Sequence, residues 1–195
     1  MNLVERIKGI MVTPQNEWRV IAREPADLAT LFVSYVAILA AIPAICGFIG
    51  YAVVGLSTGV GTLRIGYGSA LVSALIGYGM AFVSVYVVAL VADALAPTFN
   101  ARKSFGSALK LATYSYTPVW LVGIFLLVPG LAPLRILGLY GIYLLWLGLP
   151  ALMRAPERQN ATIGYCAAIV VSALVLWYLV RYIVSAIIRV SVWTM

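Results

Sequence analysis

Five long runs of apolar residues follow one another along the chain, separated by short stretches rich in Gly, Pro, Arg and Asn. A bilayer core of about 30 Å takes roughly 20 apolar residues per helical span, so each run is long enough to cross a membrane. Only residues 129–133 join the third run to the fourth, which makes those two helices antiparallel neighbours. We therefore predict five transmembrane helices. Their expected ranges are 28–54, 69–95, 108–128, 134–153 and 163–182.

The stretch before these runs, residues 1–27, is more polar and predicts two short amphipathic helices. In the first helix, the apolar residues recur at helical spacing and the charged residues fall on the other side. Thr13 and Pro14 are typical of a helix start, and the second helix that they open carries Trp18. We expect both helices to lie on the membrane surface, with Trp18 at headgroup depth. The apolar positions of the first helix are Leu3, Val4, Ile7, Ile10 and Met11, and its charged positions are Glu5, Arg6 and Lys8.

The composition supports an all-α polytopic membrane protein. Of the 195 residues, 64% are hydrophobic and only 10% are charged, and the mean hydropathy is +1.04. Soluble domains have nearer one quarter charged residues. We divide the chain into an amphipathic cytoplasmic segment, 1–27, and a five-helix transmembrane domain, 28–195. The first apolar run is long enough to span, so we do not expect a signal peptide.

Several kinds of chemistry are not expected from this sequence. Cys46 and Cys166 both lie in apolar runs and the chain has no histidine, so neither a disulfide scaffold nor a histidine-ligated metal site is predicted. The sequence also lacks a Gly-rich phosphate loop, a Gly-x-Ser-x-Gly motif and a second membrane carboxylate. We predict that the protein is not an enzyme and holds no cofactor.

The net charge of +7 is best explained by membrane topology. The basic residues are scattered between apolar runs and form no stripe with interleaved aromatic residues, so nucleic acid is not an expected partner. Cytoplasmic loops carry an excess of Lys and Arg, and nine of the thirteen lie on the N-terminal side of the predicted membrane. We therefore expect a cytoplasmic N-terminus and an external C-terminus. The nine are Arg6, Lys8, Arg19, Arg23, Arg102, Lys103, Lys110, Arg154 and Arg158; the other four are Arg64, Arg135, Arg181 and Arg189.

Asp93 is the only acid within or beside a predicted span. It lies in the last turn of the second helix, where a carboxylate faces the negative end of the helix dipole close to hydrocarbon. A basic partner is therefore expected, and Arg102, Lys103 and Lys110 are within reach on the same side of the membrane. The pattern favours a structural ion pair, and a ligand or proton site is the alternative.

The third predicted span is unusually polar, with Tyr114, Tyr116 and Pro118 in one stretch, and the fourth span carries Tyr140 and Tyr143. Pro118 removes a hydrogen bond to the Tyr114 carbonyl, so we expect a kink there. Pro43 and Pro150 should act likewise in the first and fourth spans. Hydrogen bonding among the tyrosines is slightly favoured over the alternative, which is a polar cavity or flexible gate.

Small residues recur every fourth position in the second span, at Ser69, Ser73, Gly77 and Ala81. Such a stripe lets helix backbones approach closely in lipid. We expect it to serve packing within the monomer, with a homodimer interface as the alternative.

Several short motifs follow one another in a characteristic order, beginning with Thr13-Pro14 and Glu17-Trp18 and continuing through Pro97-Thr98-Phe99 to Tyr114-Ser115-Tyr116-Thr117-Pro118. Their order and spacing resemble bacterial members of the Yip domain family, named for eukaryotic relatives that interact with Ypt/Rab GTPases. The resemblance covers nearly the whole chain and implies five transmembrane helices, a cytoplasmic N-terminus and a role in trafficking or membrane shaping without catalysis. Eukaryotic members have a long N-terminal region that is absent here, so a Rab-type GTPase is a doubtful partner. The motifs are Thr13-Pro14, Glu17-Trp18, Ile21, Glu24-Pro25, Asp93, Pro97-Thr98-Phe99, Ala108-Leu109-Lys110, Tyr114-Ser115-Tyr116-Thr117-Pro118, Gly138-Leu139-Tyr140, Pro150 and Ala155-Pro156.

Two hypotheses about function follow. The first is a non-catalytic scaffold of the bacterial inner membrane that organises membrane proteins or lipids, with a membrane protein or a second copy of the chain as partner. The second is a small transporter or channel that uses a tyrosine-rich cavity with Asp93 at its inner mouth. For the segment 1–27, docking of a partner and packing against the chain's own loops are equally favoured.

Overall fold

The computed structural model describes residues 2–25, 27–58, 61–155 and 159–193. Nearly all of these residues are helical, which confirms the all-α membrane class, and Pro156 and Arg158 lie outside the described residues. The α-helices are α1 (Leu3–Val12), α2 (Pro14–Arg23), α3 (Leu28–Leu31), α4 (Ala37–Phe48), α5 (Tyr67–Leu95), α6 (Phe105–Ser115), α7 (Thr117–Leu121), α8 (Tyr140–Met153) and α9 (Gln159–Trp193).

The two N-terminal helices form as expected but do not simply lie on the membrane. Asn2 caps α1 by accepting a hydrogen bond from the backbone N–H of Val4 at 3.2 Å, and α2 begins with Pro14 after Thr13. The helices α1 and α2 pack on each other, and α2 packs on α8. Trp18 is only 1% exposed, so protein rather than lipid headgroups surrounds its side chain. Helical periodicity identifies an apolar face, but it does not distinguish a lipid surface from a protein surface.

The first span is one continuous helical segment, Leu28–Val54, in which π-helical turns at Phe32–Val36 and Ile49–Val54 flank α4. Pro43 lies inside α4 without ending it. The loop to α5 contains a short antiparallel hairpin, β1 (Leu56–Thr58) and β2 (Gly61–Leu63), which the all-α prediction did not include. The hairpin follows Gly55, whose φ of 80° lies in the left-handed region that glycine tolerates.

The third predicted span is broken in the structure. The helix α6 ends at Ser115, Tyr116 forms a turn, and Pro118 lies in the first turn of α7, so the break falls where the proline predicted a kink. A 3-10 segment, Val122–Leu127, follows. Within the described residues four helices are long and apolar enough to span a membrane, so the count of five is not fully confirmed. They are Leu28–Val54, Tyr67–Leu95, Pro129–Met153 and Thr162–Leu179.

The third and fourth segments are antiparallel neighbours, as the short connection predicted. A Cβ on Gly141 would lie 2.5 Å from the Ser115 carbonyl oxygen, and a Cβ on Gly148 would lie 2.5 Å from Leu111 Cδ1. The glycines therefore allow α6 and α8 to approach closely. Pro150 lies inside α8, near the end of this contact.

The small-residue stripe of α5 faces α4 within the monomer, but the contact is loose. Ser73, Gly77 and Ala81 line a cavity of about 230 Å³ together with Ala44 and Gly47. A Cβ added to Gly77 would meet nothing within 4 Å. The stripe therefore serves packing within the monomer, as expected, but Gly77 itself does not touch the neighbouring helix.

Candidate functional site

Arg6 of α1 is buried beneath the N-terminal helices with only 6% of its side chain exposed. One terminal nitrogen donates to Glu17 Oε1 at 2.5 Å, and the other donates to Glu24 Oε1. A Cβ on Gly9 would lie 2.6 Å from Glu17 Cδ, so the glycine makes room for the carboxylate between α1 and α2. The guanidinium carbon lies 5.7 Å from the centre of the Tyr114 ring, within the range of a cation–π contact.

The charge of Arg6 is balanced by these neighbours. Burial alone would lower the pKa of the guanidinium, but the hydrogen bond with Glu24 and the nearby negative charges raise that pKa above its ordinary value. Arg6 therefore stays protonated. A buried cation bound by two carboxylates is costly to disrupt, because removing one partner leaves an uncompensated charge.

Lys110 of α6 joins the same region, and with Arg6, Glu17, Glu24 and Tyr114 it forms what we call the Arg6 cluster. Its Nζ donates to the carbonyl oxygens of Ile21 and Glu24, both at 2.8 Å. These carbonyls belong to the C-terminal end of α2, where helix carbonyls lack intrahelical partners and a cation is favoured.

The expected pairing of Lys110 with Asp93 is therefore wrong. Within the described residues no cation forms an ion pair with Asp93, and its buried Oδ1 has no hydrogen-bond partner. Tyr165 lies beside Asp93, but its hydroxyl donates to the Ala92 carbonyl. Arg102, another proposed partner, donates its backbone N–H to the Met153 carbonyl at 2.7 Å, and neither its side chain nor that of Lys103 forms an ion pair among the described residues. The order of residues along the chain suggested that Lys110 lies near Asp93, but its ammonium group meets the end of α2 instead.

Aromatic rings surround the Arg6 cluster. Trp18 lies edge-on to Tyr114 with 6.2 Å between ring centres, and Tyr35 lies edge-on to Tyr114 at 4.8 Å. The Tyr35 hydroxyl shares a hydrogen bond of 2.7 Å with Thr117 Oγ1. Trp18 rests against Gly148, where an added Cβ would lie 2.9 Å from its ring. These contacts fix α2 against α6 and α8.

The remaining predicted residues are spread more widely. Tyr140 donates its hydroxyl to the Met11 carbonyl at 3.1 Å and so also fixes the N-terminal helices. Tyr143 packs beside Tyr140 but is 42% exposed. Tyr116 stacks on Trp120 at 5.7 Å and lines a largely apolar cavity of about 410 Å³. The Tyr140 hydroxyl therefore bonds to a backbone carbonyl, whereas a bond to another tyrosine was expected.

The sequence analysis missed Arg6, Glu17, Glu24, Tyr35 and Thr117 as members of this site. One signal was available, because Glu17 and Glu24 are seven residues apart and so share one helical face. Arg6 was assigned to the polar side of α1, and nothing local indicated that protein would cover that side. The described residues contain no group of three His, Cys, Asp or Glu side chains that could hold a metal. The arrangement fixes helices and offers no nucleophile paired with a base.

Comparison with known proteins agrees with the motifs in the sequence. The Inner membrane protein YohC of Escherichia coli (strain K12) is 28% identical over 162 residues, which cover 80% of this chain and 83% of that protein. The protein of the same name from Escherichia coli O6:H1 gives the same values. No solved structure matches the chain significantly. The family model described as the Yip1 domain matches residues 8–180, and the chain therefore belongs to the Yip1 domain family.

Proposed function

We propose that this protein is a non-catalytic scaffold of the bacterial inner membrane, which organises other membrane proteins or lipids. The name of the Escherichia coli relatives supports the inner membrane as its location. The excess of basic residues on one side supports a cytoplasmic N-terminus and an external C-terminus.

The packing of the N-terminal helices is the observation that carries the proposal. The Arg6 cluster and Trp18 close the region beneath α1 and α2. Two of the tyrosines expected to line a polar path, Tyr114 and Tyr140, contact the N-terminal helices instead. Asp93 lines neither of the two cavities of about 410 and 230 Å³. A packed interior suits a scaffold better than it suits a conduit.

The outward face of the N-terminal helices supplies a surface for a partner. Glu17 and Glu24 bind Arg6 on the inner side, whereas Lys8, Arg19 and Arg23 are exposed. Glu5 is exposed as well, so three basic groups and one acid leave the surface with a net positive charge. Three exposed valines on the same pair of helices make it partly apolar. They are Val4 at 71%, Val12 at 69% and Val20 at 49% exposure. An acidic surface of a membrane-protein partner fits this face by charge.

Reversal of the exposed charges tests the proposal. We compare the wild type with a Lys8→Glu, Arg19→Glu, Arg23→Glu variant by copurification from native membranes and identification of bound proteins and lipids. Arg64→Glu, at an exposed arginine in the first loop, is the matched control. We expect the triple variant to keep its thermal stability and lose its partner while the control retains it. Identical partners in all three samples would show that the exposed face of α1 and α2 does not bind the partner.

Transport is the second candidate, and the unpaired Asp93 favours it. A buried carboxylate oxygen without a hydrogen bond is unfavourable and is common at functional sites. Ion flux into proteoliposomes that is present in the wild type and lost in Asp93→Asn would show that the protein is a transporter rather than a scaffold. Absence of flux in the wild type would leave the scaffold as the better account.

A further inference from the structure

A largely apolar cavity lies between α5, α6, α8 and α9, on the other side of α6 from the elements that hold Arg6. Its volume is about 410 Å³, within the range of roughly 300–1,000 Å³ that small-molecule sites occupy. Val88, Ala112, Leu145 and Ile169 contribute to its wall, one from each of these helices. Such a lining favours a hydrocarbon chain as the ligand.

The cavity opens on the outside of the helix bundle. Two of its lining residues, Ile136 and Leu174, are 67% and 59% exposed. In a membrane, the surface around such residues meets the acyl chains of lipids. A lipid can therefore enter from the side without crossing water.

Two polar groups distinguish this cavity from a purely apolar one. Ser115 is only 7% exposed, and its hydroxyl has no hydrogen-bond partner. Arg135 lines the cavity and is exposed, and no ion pair joins it to an acid among the described residues. By the charge count, Arg135 lies on the external side, whereas every acid of the chain lies on or near the cytoplasmic side. The acids are Glu5, Glu17, Glu24, Asp27, Asp93 and Glu157.

We propose that this cavity binds one acyl chain of an anionic phospholipid whose phosphate is bound by Arg135. Arginine binds phosphate oxygens through two parallel N–H donors, and by the charge count no Asp or Glu side chain lies on that side. The Ser115 hydroxyl is a free donor for an ester carbonyl of the same lipid. This binding does not depend on the docking surface of α1 and α2, so the two proposals fail separately.

The test uses full-length protein reconstituted with a mixture of phosphatidylglycerol and phosphatidylethanolamine, and native mass spectrometry counts the lipids that stay bound. Arg135→Gln removes the charge, and Ala173→Phe fills the cavity from α9. The matched controls are Arg64→Gln at another exposed arginine and Ala74→Phe at the second cavity. Arg135→Lys keeps the charge but lacks the paired donors.

We expect the wild type and both controls to retain phosphatidylglycerol in preference to phosphatidylethanolamine. Arg135→Gln should weaken that binding about tenfold or more, as loss of a charge-assisted hydrogen bond does, and Arg135→Lys should weaken it less. Ala173→Phe should abolish binding of either lipid at this site. If Ala173→Phe does not fold, the proposal is tested by comparing the phosphatidylglycerol that Arg135→Gln and Arg64→Gln retain.

Three results would overturn the proposal. Equal retention of phosphatidylglycerol by Arg135→Gln and the wild type would show that Arg135 does not bind the phosphate of an anionic lipid. Retention of phosphatidylglycerol by a folded Ala173→Phe variant would show that no acyl chain occupies the cavity. A stable dimer that is broken by Ala173→Phe would show that a second copy of the chain, rather than a lipid, covers this face.

Discussion

At the scale of single residues, Arg6 connects the N-terminal helices to the rest of the protein. Arg6 belongs to α1. Its side chain binds Glu17 on α2 and Glu24 directly after α2, and it lies against Tyr114 of α6. Hydrophobic burial alone permits two helices to shift along each other, whereas a charge with two fixed partners specifies one arrangement. The Arg6 cluster therefore sets the register of α1 and α2 on the bundle.

We predict that Arg6→Gln lowers the free energy of unfolding by roughly 2 kcal/mol, because two carboxylates lose their counter-charge. The loss is smaller than for a fully buried pair, since the Glu24 side chain is 36% exposed. Thermal unfolding in detergent measures the effect. Lys8→Gln, at an exposed position of the same helix, is the control and should change stability by less than about 0.5 kcal/mol. Equal melting temperatures of the two variants would contradict the role of the cluster.

Asp93 leads to the opposite prediction. A structural ion pair would make Asp93→Asn destabilising, but the buried Oδ1 has no partner in the structure. We therefore expect Asp93→Asn to leave the melting temperature unchanged or to raise it, because the neutral amide is less costly to bury than an unpaired carboxylate. If Asp93→Asn lowers the free energy of unfolding by about 2 kcal/mol or more, Asp93 does form a structural ion pair.

At the scale of elements, glycines separate the tight helix contacts from the loose one. Gly148 admits the Trp18 ring between α2 and α8, whereas Gly77 faces open space in the cavity between α4 and α5. The regular spacing in α5 suggested the tight contact, but the tight contact lies at a glycine that belongs to no stripe. Spacing therefore indicated the face of α5 that packs on α4, but it did not indicate which glycine a close contact requires.

This contrast gives a matched pair of variants. Gly148→Ala places a methyl group 2.9 Å from the Trp18 ring and 2.5 Å from Leu111, so it should lower stability by about 1–3 kcal/mol. Gly77→Ala should leave stability unchanged or raise it by up to about 1 kcal/mol, because its methyl group meets nothing and alanine has the higher helix propensity. Chemical or thermal unfolding of both variants in the same detergent compares them. Equal losses would show that the packing around Trp18 tolerates the added volume.

The elements also show how far the sequence could take the prediction. The apolar runs locate the long helices because a bilayer demands about 20 consecutive apolar residues, and this requirement is local. The break at Pro118 could also be predicted, because the hydrogen bond that a proline removes is a local property of the chain. The partners of Arg6 and Lys110 were not foreseen, because Lys110 meets a carbonyl 89 residues away. Contacts of that range depend on how complete helices pack, which the residues near Lys110 do not encode.

At the scale of the whole molecule, the N-terminal segment is packed against the bundle on one face and exposed on the other. We predict that deletion of residues 1–24 yields protein that aggregates or unfolds in detergent, because Tyr114, Lys110 and the Gly148 surface lose their cover. Size-exclusion chromatography and thermal unfolding measure this outcome. The triple charge-reversal variant of the outward face is the control and should remain monodisperse. A folded truncated protein would show that the bundle does not need the segment.

The orientation in the membrane follows from the distribution of charge. We expect a cysteine at Ser57, in the loop after the first span, to react with an impermeant thiol reagent added from outside. A cysteine at Gln159, the first residue of α9, should be protected until the membrane is opened. Both are introduced after replacement of Cys46 and Cys166, which are the native thiols. The reverse labelling pattern would invert the topology.

The bond from Lys110 to the end of α2 has a consequence for synthesis on the ribosome. Its acceptor at Ile21 leaves the ribosome 89 residues before the lysine does. At 5–20 residues per second, this separation corresponds to a delay of about 4–18 s. During that interval Trp18 and Arg6 have left the ribosome while their cover on α6 does not yet exist. Membrane insertion factors and chaperones therefore meet an N-terminal segment whose Trp18 and Arg6 side chains are exposed, although the finished protein buries both.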